Sequence, residues 1–369
     1  MKISHWCFVL LQTVKRRLDQ IRKYCRADRS AYLASNLSNI YYLTNHLETG
    51  DSVLFFLIPA DDEPILFVHE MNYEQAKMEA KGCQIEPLRK TEKITEKILK
   101  AISQQKPSRI IFDEMPASTY RILASKLGGM TLEPRSEVLW EMRRIKDEHE
   151  FGLLRKAAEL TSIAAHTALS TARAGMTETE IAAEAEFAMR KKGSSGVAFD
   201  TIVASGPRSA WPHGLSSERR LQDGDVVVFD LGAVFEGYRS DITRTKIIGR
   251  PSRQQEKVYR LVLKAQNEAR KKTRSGVKCS EVDSIARRII ARNGYKKYFT
   301  HGLGHGVGID IHEPPRLNAT NTEKLVNRNV VTVEPGIYLP GQFGIRIEDT
   351  VIVRNGEPEV LTQCEKPEY

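Results

Sequence analysis

The stretch DVVVFDLGAVFEGYRSDITRT, residues 225 to 245, sets two β-rich runs on either side of GAVFEG. It reads as an antiparallel hairpin whose loop is longer than the tightest turns. Side chains alternate along a strand, so Val226, Val228 and Asp230 share one face of the first run and Asp241, Thr243 and Thr245 one face of the second. Where those faces coincide, Asp230 and Asp241 project together from a largely apolar hairpin. Two carboxylates placed like that repel each other and lose hydration unless a proton or a cation lies between them.

The pattern recurs downstream. NVVTVEP (329–335) ends a β-branched run in Glu334 just before a proline, and GIRIEDTVIV (344–353) places Glu348 inside another run, with Arg346 two residues earlier on the same face. One such acid alone reads as an edge or turn carboxylate facing water. Four of them at strand positions, together with HGLGHGVGIDIHEPP (301–315), favour a site. That last stretch holds His301, His305 and His312 among glycines and follows neither helix nor strand periodicity.

Outward from these runs the second half alternates helices and strands. A helix through FGLLRKAAELTSIAAHTALSTARA stops at Gly175, and the next starts at Thr177, whose hydroxyl and Glu180 form a capping box. Further helices are expected near 252–273 and 280–292. The remaining runs, FDTIVAS included, give a mixed α+β unit with mostly antiparallel sheet and no visible internal repeat. From residue 13 to 133, β-rich runs (SVLFFLIP, PILFVHE, RIIFDE) alternate with helical ones, which predicts a smaller α/β domain. The charged EMRRIKDEHE sets the boundary near residue 140, giving domains at 13–140 and 141–369. Residues 1–12 read as an extension leading into a first helix, since the apolar stretch meets Lys15-Arg16-Arg17 in place of a cleavage site.

Composition narrows the function class. The 369 residues are 41% hydrophobic and 28% charged, a globular balance, and no apolar run reaches membrane-spanning length. The net charge of +9 resides in helical stretches mixed with acids, a solvated surface rather than a nucleic-acid footprint. Five scattered cysteines, never in CxxC spacing, point to reduced thiols and a cytoplasmic chain. Four carboxylates and one imidazole are best used to hold two divalent cations, with Mn²⁺ favoured and Co²⁺, Zn²⁺ or Fe²⁺ also suited. Paired cations polarise a carbonyl and activate water, which is hydrolytic machinery.

PHG (212–214), FDLGAVFEGYRSDITRT (229–245), HGLGHGVGIDIHEPP, EPGIY (334–338) and GIRIED (344–349) resemble, in order and spacing, the metal-dependent Xaa-Pro peptidases. These are aminopeptidase P and prolidase, of the pita-bread fold shared with methionine aminopeptidase and creatinase. The resemblance covers residues 145 to 360, and RLDQIRKY and NIYYLTNH resemble the creatinase-type N-terminal domain more loosely. It implies Asp230, Asp241, His305, Glu334 and Glu348 as ligands of two metals, with Glu334 also the proton acceptor. It implies His312 as stabiliser of the tetrahedral intermediate, and His213 and His301 as substrate contacts. Arg346 would support Glu348 or bind a substrate carboxylate. The implied activity is an Xaa-Pro aminopeptidase acting on peptides with proline second, as a homodimer binding neither nucleic acid nor membrane. The alternatives are an Xaa-Pro dipeptidase (prolidase), a dinuclear hydrolase of another substrate class, and a pita-bread binding protein that has lost catalysis.

Overall fold

Helix α1 (His5–Arg26) opens the computed structural model, which describes residues 5–48 and 54–367. Residues 5–12 are therefore the first turns of this helix rather than a separate extension, and residues 1–4 lie outside the described residues. The chain divides into two units, 1–143 and 144–369.

In the first unit, strands β1 (Ala31–Ala34), β2 (Phe55–Pro59), β3 (Ile65–His69), β4 (Gln84–Leu88), β5 (Arg109–Phe112) and β6 (Thr131–Pro134) form one sheet in the order β4-β3-β2-β1-β5-β6. Helices α2 (Leu37–Thr44), α3 (Tyr73–Glu79), α4 (Ile94–Gln105), α5 (Ala117–Lys126) and α6 (Glu137–Arg143) complete it. Its core joins Leu33, Phe55, Leu57 and Ile110 of the sheet to Ile98, Ile102 and Leu123 of the helices. Asp113 caps that architecture: it accepts from the amides of Ser35 and Asn36 and from Asn39 Nδ2, and Arg143 donates to Asn39 Oδ1.

The second unit is built twice over. Helices α7 (Glu148–Thr171) and α8 (Glu178–Lys191) are matched by α9 (Arg253–Lys272) and α10 (Cys279–Arg292), 101 residues later at every boundary except the start of α9, which falls 105 later. Gly175 and Gly193, both with positive φ, recur as Gly276 and Gly294, and an isolated bridge at Thr177 recurs at Lys278. The sequence hides this duplication because only the glycine punctuation and the apolar period persist. The expected capping box is present: Thr177 Oγ1 accepts from Glu180 N at 3.0 Å and Glu180 returns the bond at 2.7 Å. Thr177→Ala should lower stability by about 1 kcal/mol, read from the urea midpoint with an unchanged m-value.

Each helix pair covers its own set of strands. The first core packs Leu160, Ala164, Ile181 and Ala185 on Val203, Val227, Phe229 and Ile242, from β8 (Ile202–Ser205), β9 (Val226–Leu231) and, through a further short hairpin, β12 (Ile242–Ile247). That hairpin is β10 (Ala233–Phe235) with β11 (Tyr238–Arg239), and β10 also pairs with β7 (Gly196–Val197). Glu236 and Gly237 both have positive φ and close a two-residue turn between Phe235 and Tyr238. This corrects the longer loop expected of GAVFEG: the segment forms strand and a tight turn.

The second core packs Val258, Val262, Val282 and Ile290 on Val331, Val333, Ile345 and Val351. Its strands are β13 (Gly304–Gly306), β14 (Glu313–Leu317), β15 (Val330–Val333), β16 (Gly336–Leu339), β17 (Phe343–Arg346), β18 (Asp349–Ile352) and β19 (Glu359–Val360). Their ladders run β14-β13-β15-β18-β19 and β16-β17.

Candidate metal centre

Asp230 pairs with Thr243 across the antiparallel β9–β12 ladder, so both side chains leave one face. Asp241, two residues before Thr243, shares that face, and the two carboxylates project together as alternation predicts. Glu334 and Glu348 arise differently. Val333 pairs with Asp349 and Gly336 with Arg346, but Glu334-Pro335 and Ile347-Glu348 between them belong to neither ladder. Pro335 has no N–H to continue the pairing, so both acids sit where a long hairpin breaks, and Glu348 lies between strands rather than inside one. His305 occupies the middle of β13. A Cβ at Gly304 or Gly306 would overlap the carbonyl oxygens of Thr332 or Pro314, so only glycine lets this backbone pass so close to its neighbours.

These residues converge. His305 Nε2 lies 3.3 Å from Glu334 Oε1 and 3.6 Å from Asp241 Oδ2. Asp241, His305 and Glu348 are buried, and one donor atom from each falls within 4.8 Å of the others. His305 Nδ1 faces the Gly306 carbonyl at 3.1 Å; a carbonyl only accepts, so Nδ1 carries hydrogen and Nε2 is turned to the carboxylates. An imidazole lone pair facing two carboxylate oxygens is unfavourable unless a proton or cation sits among them.

The carboxylates divide their oxygens in the same sense. Asp230 Oδ2 accepts from Arg346 at 2.6 Å, Glu348 Oε2 from Thr243 Oγ1 at 2.7 Å, and Glu334 Oε1 from Thr332 Oγ1 at 3.1 Å. Asp230 Oδ1, Asp241 Oδ1 and Glu348 Oε1 are buried with no hydrogen-bond partner. Burial, then the charges of Glu348, Asp230 and Glu334, push the Asp241 carboxyl well up. Burial, with Glu334 and Asp230, does the same to Glu348. Burial alone would raise Glu334 too, but its bond to His305 and the charges of His305, His301 and Arg346 hold it at about 2. The cluster is short of positive charge, and its orphaned oxygens and Nε2 are a donor set suited to hard or borderline divalent cations.

All nine residues expected at the site line one cavity of about 670 Å³. His312 stacks edge-on against His305 with ring centroids 4.4 Å apart. Desolvation, with the charges of His305 and Arg316, lowers its pKa to about 4, so it is neutral. His213 is exposed on the cavity wall. Arg346 fits the first of its two expected roles, support of Glu348, and His301 departs from its expected one. Buried Arg346 already donates to Asp230, Tyr338 Oη, the Pro212 carbonyl and Thr243 Oγ1, so it braces Asp230 directly, and Glu348 through Thr243, instead of being held ready for a substrate carboxylate. Because Arg346 can only donate, Tyr338 Oη accepts from it and passes its own hydrogen to His301 Nε2, 2.9 Å away. His301 Nδ1 in turn donates to Gly302 O at 2.7 Å. Both ring nitrogens are thus engaged, and His301 offers a substrate no free donor.

Sequence reading missed Arg316. It lies four residues after His312, on β14, exposed in the same cavity; His312 precedes that strand, so alternation does not link the two. It also missed the roles of Thr243 and Thr332, whose hydroxyls orient Glu348 and Glu334, and of Tyr338, which links Arg346 to His301.

Residues 152–355 match the family model described as metallopeptidase family M24, and residues 17–145 match the creatinase/prolidase N-terminal domain. The chain is 38% identical to an Xaa-Pro dipeptidase of Pyrococcus horikoshii over 91% of its length and 93% of the relative's. The crystal structure of the prolidase from Pyrococcus horikoshii OT3 is 36% identical, with a TM-score of 0.90, covering 96% of this chain and 100% of that one. An X-Pro aminopeptidase structure from Thermotoga maritima is also 36% identical, with a TM-score of 0.85 over 95% of this chain and 99% of that one. The chain thus belongs to metallopeptidase family M24, with a pita-bread peptidase domain following a creatinase/prolidase N-terminal domain.

Proposed function

We propose that this metallopeptidase is an Xaa-Pro dipeptidase, a correction to the aminopeptidase reading first drawn from the sequence. The relatives named dipeptidase or prolidase support it, and the observation that carries it is Arg316. A dipeptide brings its carboxylate into the cavity on the proline itself, and Arg316 is a cavity-lining cation with no ion-pair partner among the described residues.

Two divalent cations held by Asp230, Asp241, His305, Glu334 and Glu348 would supply the charge that polarises the carbonyl before proline and acidifies the attacking water. Mn²⁺ is the favoured ion for this oxygen-rich set with one imidazole. The remaining work falls to side chains. Glu334, ionised throughout the physiological range, accepts the proton from water. Neutral His312 donates to the carbonyl oxygen as its charge develops, His213 contacts the peptide near the scissile bond, and Arg316 grips the terminal carboxylate. The departing proline nitrogen takes up the proton that Glu334 received from water.

Protein stripped by chelator and reloaded with Mn²⁺ should release alanine from Ala-Pro and leave Ala-Pro-Ala intact. Cleavage of the tripeptide alone would restore the aminopeptidase reading; metal binding without cleavage of either would favour the non-catalytic one. Arg316→Met should lower kcat/KM on Ala-Pro about 10- to 100-fold through loss of a charge-assisted contact, and should leave the slow cleavage of Ala-Pro amide unchanged. Cys25, Cys83, Cys279 and Cys364 are free thiols, which supports a reducing, cytoplasmic setting, and among the described residues no helix is long and apolar enough to cross a membrane. The homodimer implied by the resemblance is read by light scattering.

A further inference from the structure

His312 closes an irregular loop, 307–312, between β13 and β14, and the next residue is unusual. Glu313 is a buried carboxylate whose Oε1 accepts from Asp310 N at 3.1 Å, and a Cβ at Gly308 would come within 2.6 Å of both its oxygens. The loop is folded over this carboxylate. Its charge is met by Lys146, 3.0 Å from Oε2, with side chains 1% and 2% exposed respectively. Lys146 is itself clamped: its amide donates to Arg328 O, and Arg328 Nε donates to its carbonyl. Arg239 completes the frame by donating its amide to Gly308 O and its guanidinium to Ile309 O.

A buried ion pair gains little net stability over an apolar pair of the same shape. What this one supplies is direction, because any turn of the Glu313 backbone swings the adjacent His312. We propose that Lys146 is a positioning residue: through Glu313 it fixes the 307–312 loop and so aims the His312 imidazole at the scissile carbonyl. The inference rests on the Xaa-Pro peptidase reading for its consequence, but the loop geometry can be tested without it.

Two variants are compared with wild type, Lys146→Met and K146M/E313Q; the second keeps an acceptor for Asp310 N and strands no charge, so it remains measurable should the first fail to fold. Hydrogen exchange at Asp310 and its loop neighbours should speed up about tenfold or more in both, with β9 amides unaffected. On Ala-Pro, kcat should fall about 10- to 100-fold with KM within about twofold, the signature of a misaimed group rather than lost binding. In a His312→Ala background, Lys146→Met should cost less than about threefold, because the group it aims is gone. Wild-type exchange in the loop of both variants overturns the proposal, whatever the peptide assay gives. So does a full penalty in the His312→Ala background. Wild-type protein that cleaves no Xaa-Pro peptide would instead overturn the assigned reaction, and loop exchange alone would then decide the role of Lys146.

Discussion

Asp241→Ala is expected to abolish Xaa-Pro hydrolysis while leaving the metal-free fold as stable as before or more so. Asp241 lies at the centre of the cluster, within reach of His305 Nε2, and its Oδ1 has no protein partner. As a shared cation ligand its loss should lower metal stoichiometry and reduce kcat/KM by about 10³-fold or more, since charge stabilisation by metals is worth several kcal/mol. In chelated protein the same carboxylate is held well above its ordinary pKa, by burial first and then by Glu348, Asp230 and Glu334. It is a destabilising neighbour there, and alanine relieves it. Calorimetry with and without Mn²⁺ gives the check: a variant that keeps two ions and most of its activity sinks the ligand assignment.

Asp349→Asn should do the reverse, costing about 3–5 kcal/mol of stability in the metal-free protein, the range for breaking a buried ion pair. Asp349 follows Glu348 directly but points the other way. Arg244, itself fully buried, is 3.0 Å from Oδ1, while Oδ2 accepts from Lys366 at 2.6 Å and Gln266 Nε2 at 3.0 Å. Burial works against this charge, yet Arg244 and Lys366 outweigh it and hold the carboxyl below its usual range. Asparagine would strand both cations. Glu348→Gln, one residue away, removes a carboxylate that is short of partners and should cost the metal-free fold little. Urea titrations of the two variants side by side test the contrast, and equal midpoints would refute it.

These neighbours also mark how far the sequence could be read. The candidate ligands were legible because strand alternation and glycine framing are local: Asp230, Asp241 and Thr243 obey a period of two, and a histidine between glycines is conspicuous. Glu348 was singled out by alternation from Arg346 and named a ligand through resemblance, although residues 347 and 348 lie outside the strands, where alternation no longer fixes a phase. Lys146 looked like one more charge in a boundary segment, because its partner is distant in sequence and burial leaves no local trace. Arg346 was placed on the right face, but its donors are taken by Asp230, Tyr338 and Pro212, and only the folded chain brings those together. In the first unit the parallel edge strands β4 and β6 went unread: QIEPL and TLEP are short, half exposed and proline-bearing, so their pairing is decided by β3 and β5.

The doubling of the second unit gives the proposed metal centre a mechanical role as well. Asp230 and Asp241 come from the first repeat, and His305, Glu334 and Glu348 from the second, so ions held by all five would tie together segments between 64 and 118 residues apart. In an oxidised secreted protein a disulfide does that work; here the tie would be reversible, and its strength would follow the logarithm of free metal concentration. The lifetime of the folded enzyme would then rise and fall with the divalent ion supply of the compartment that houses it.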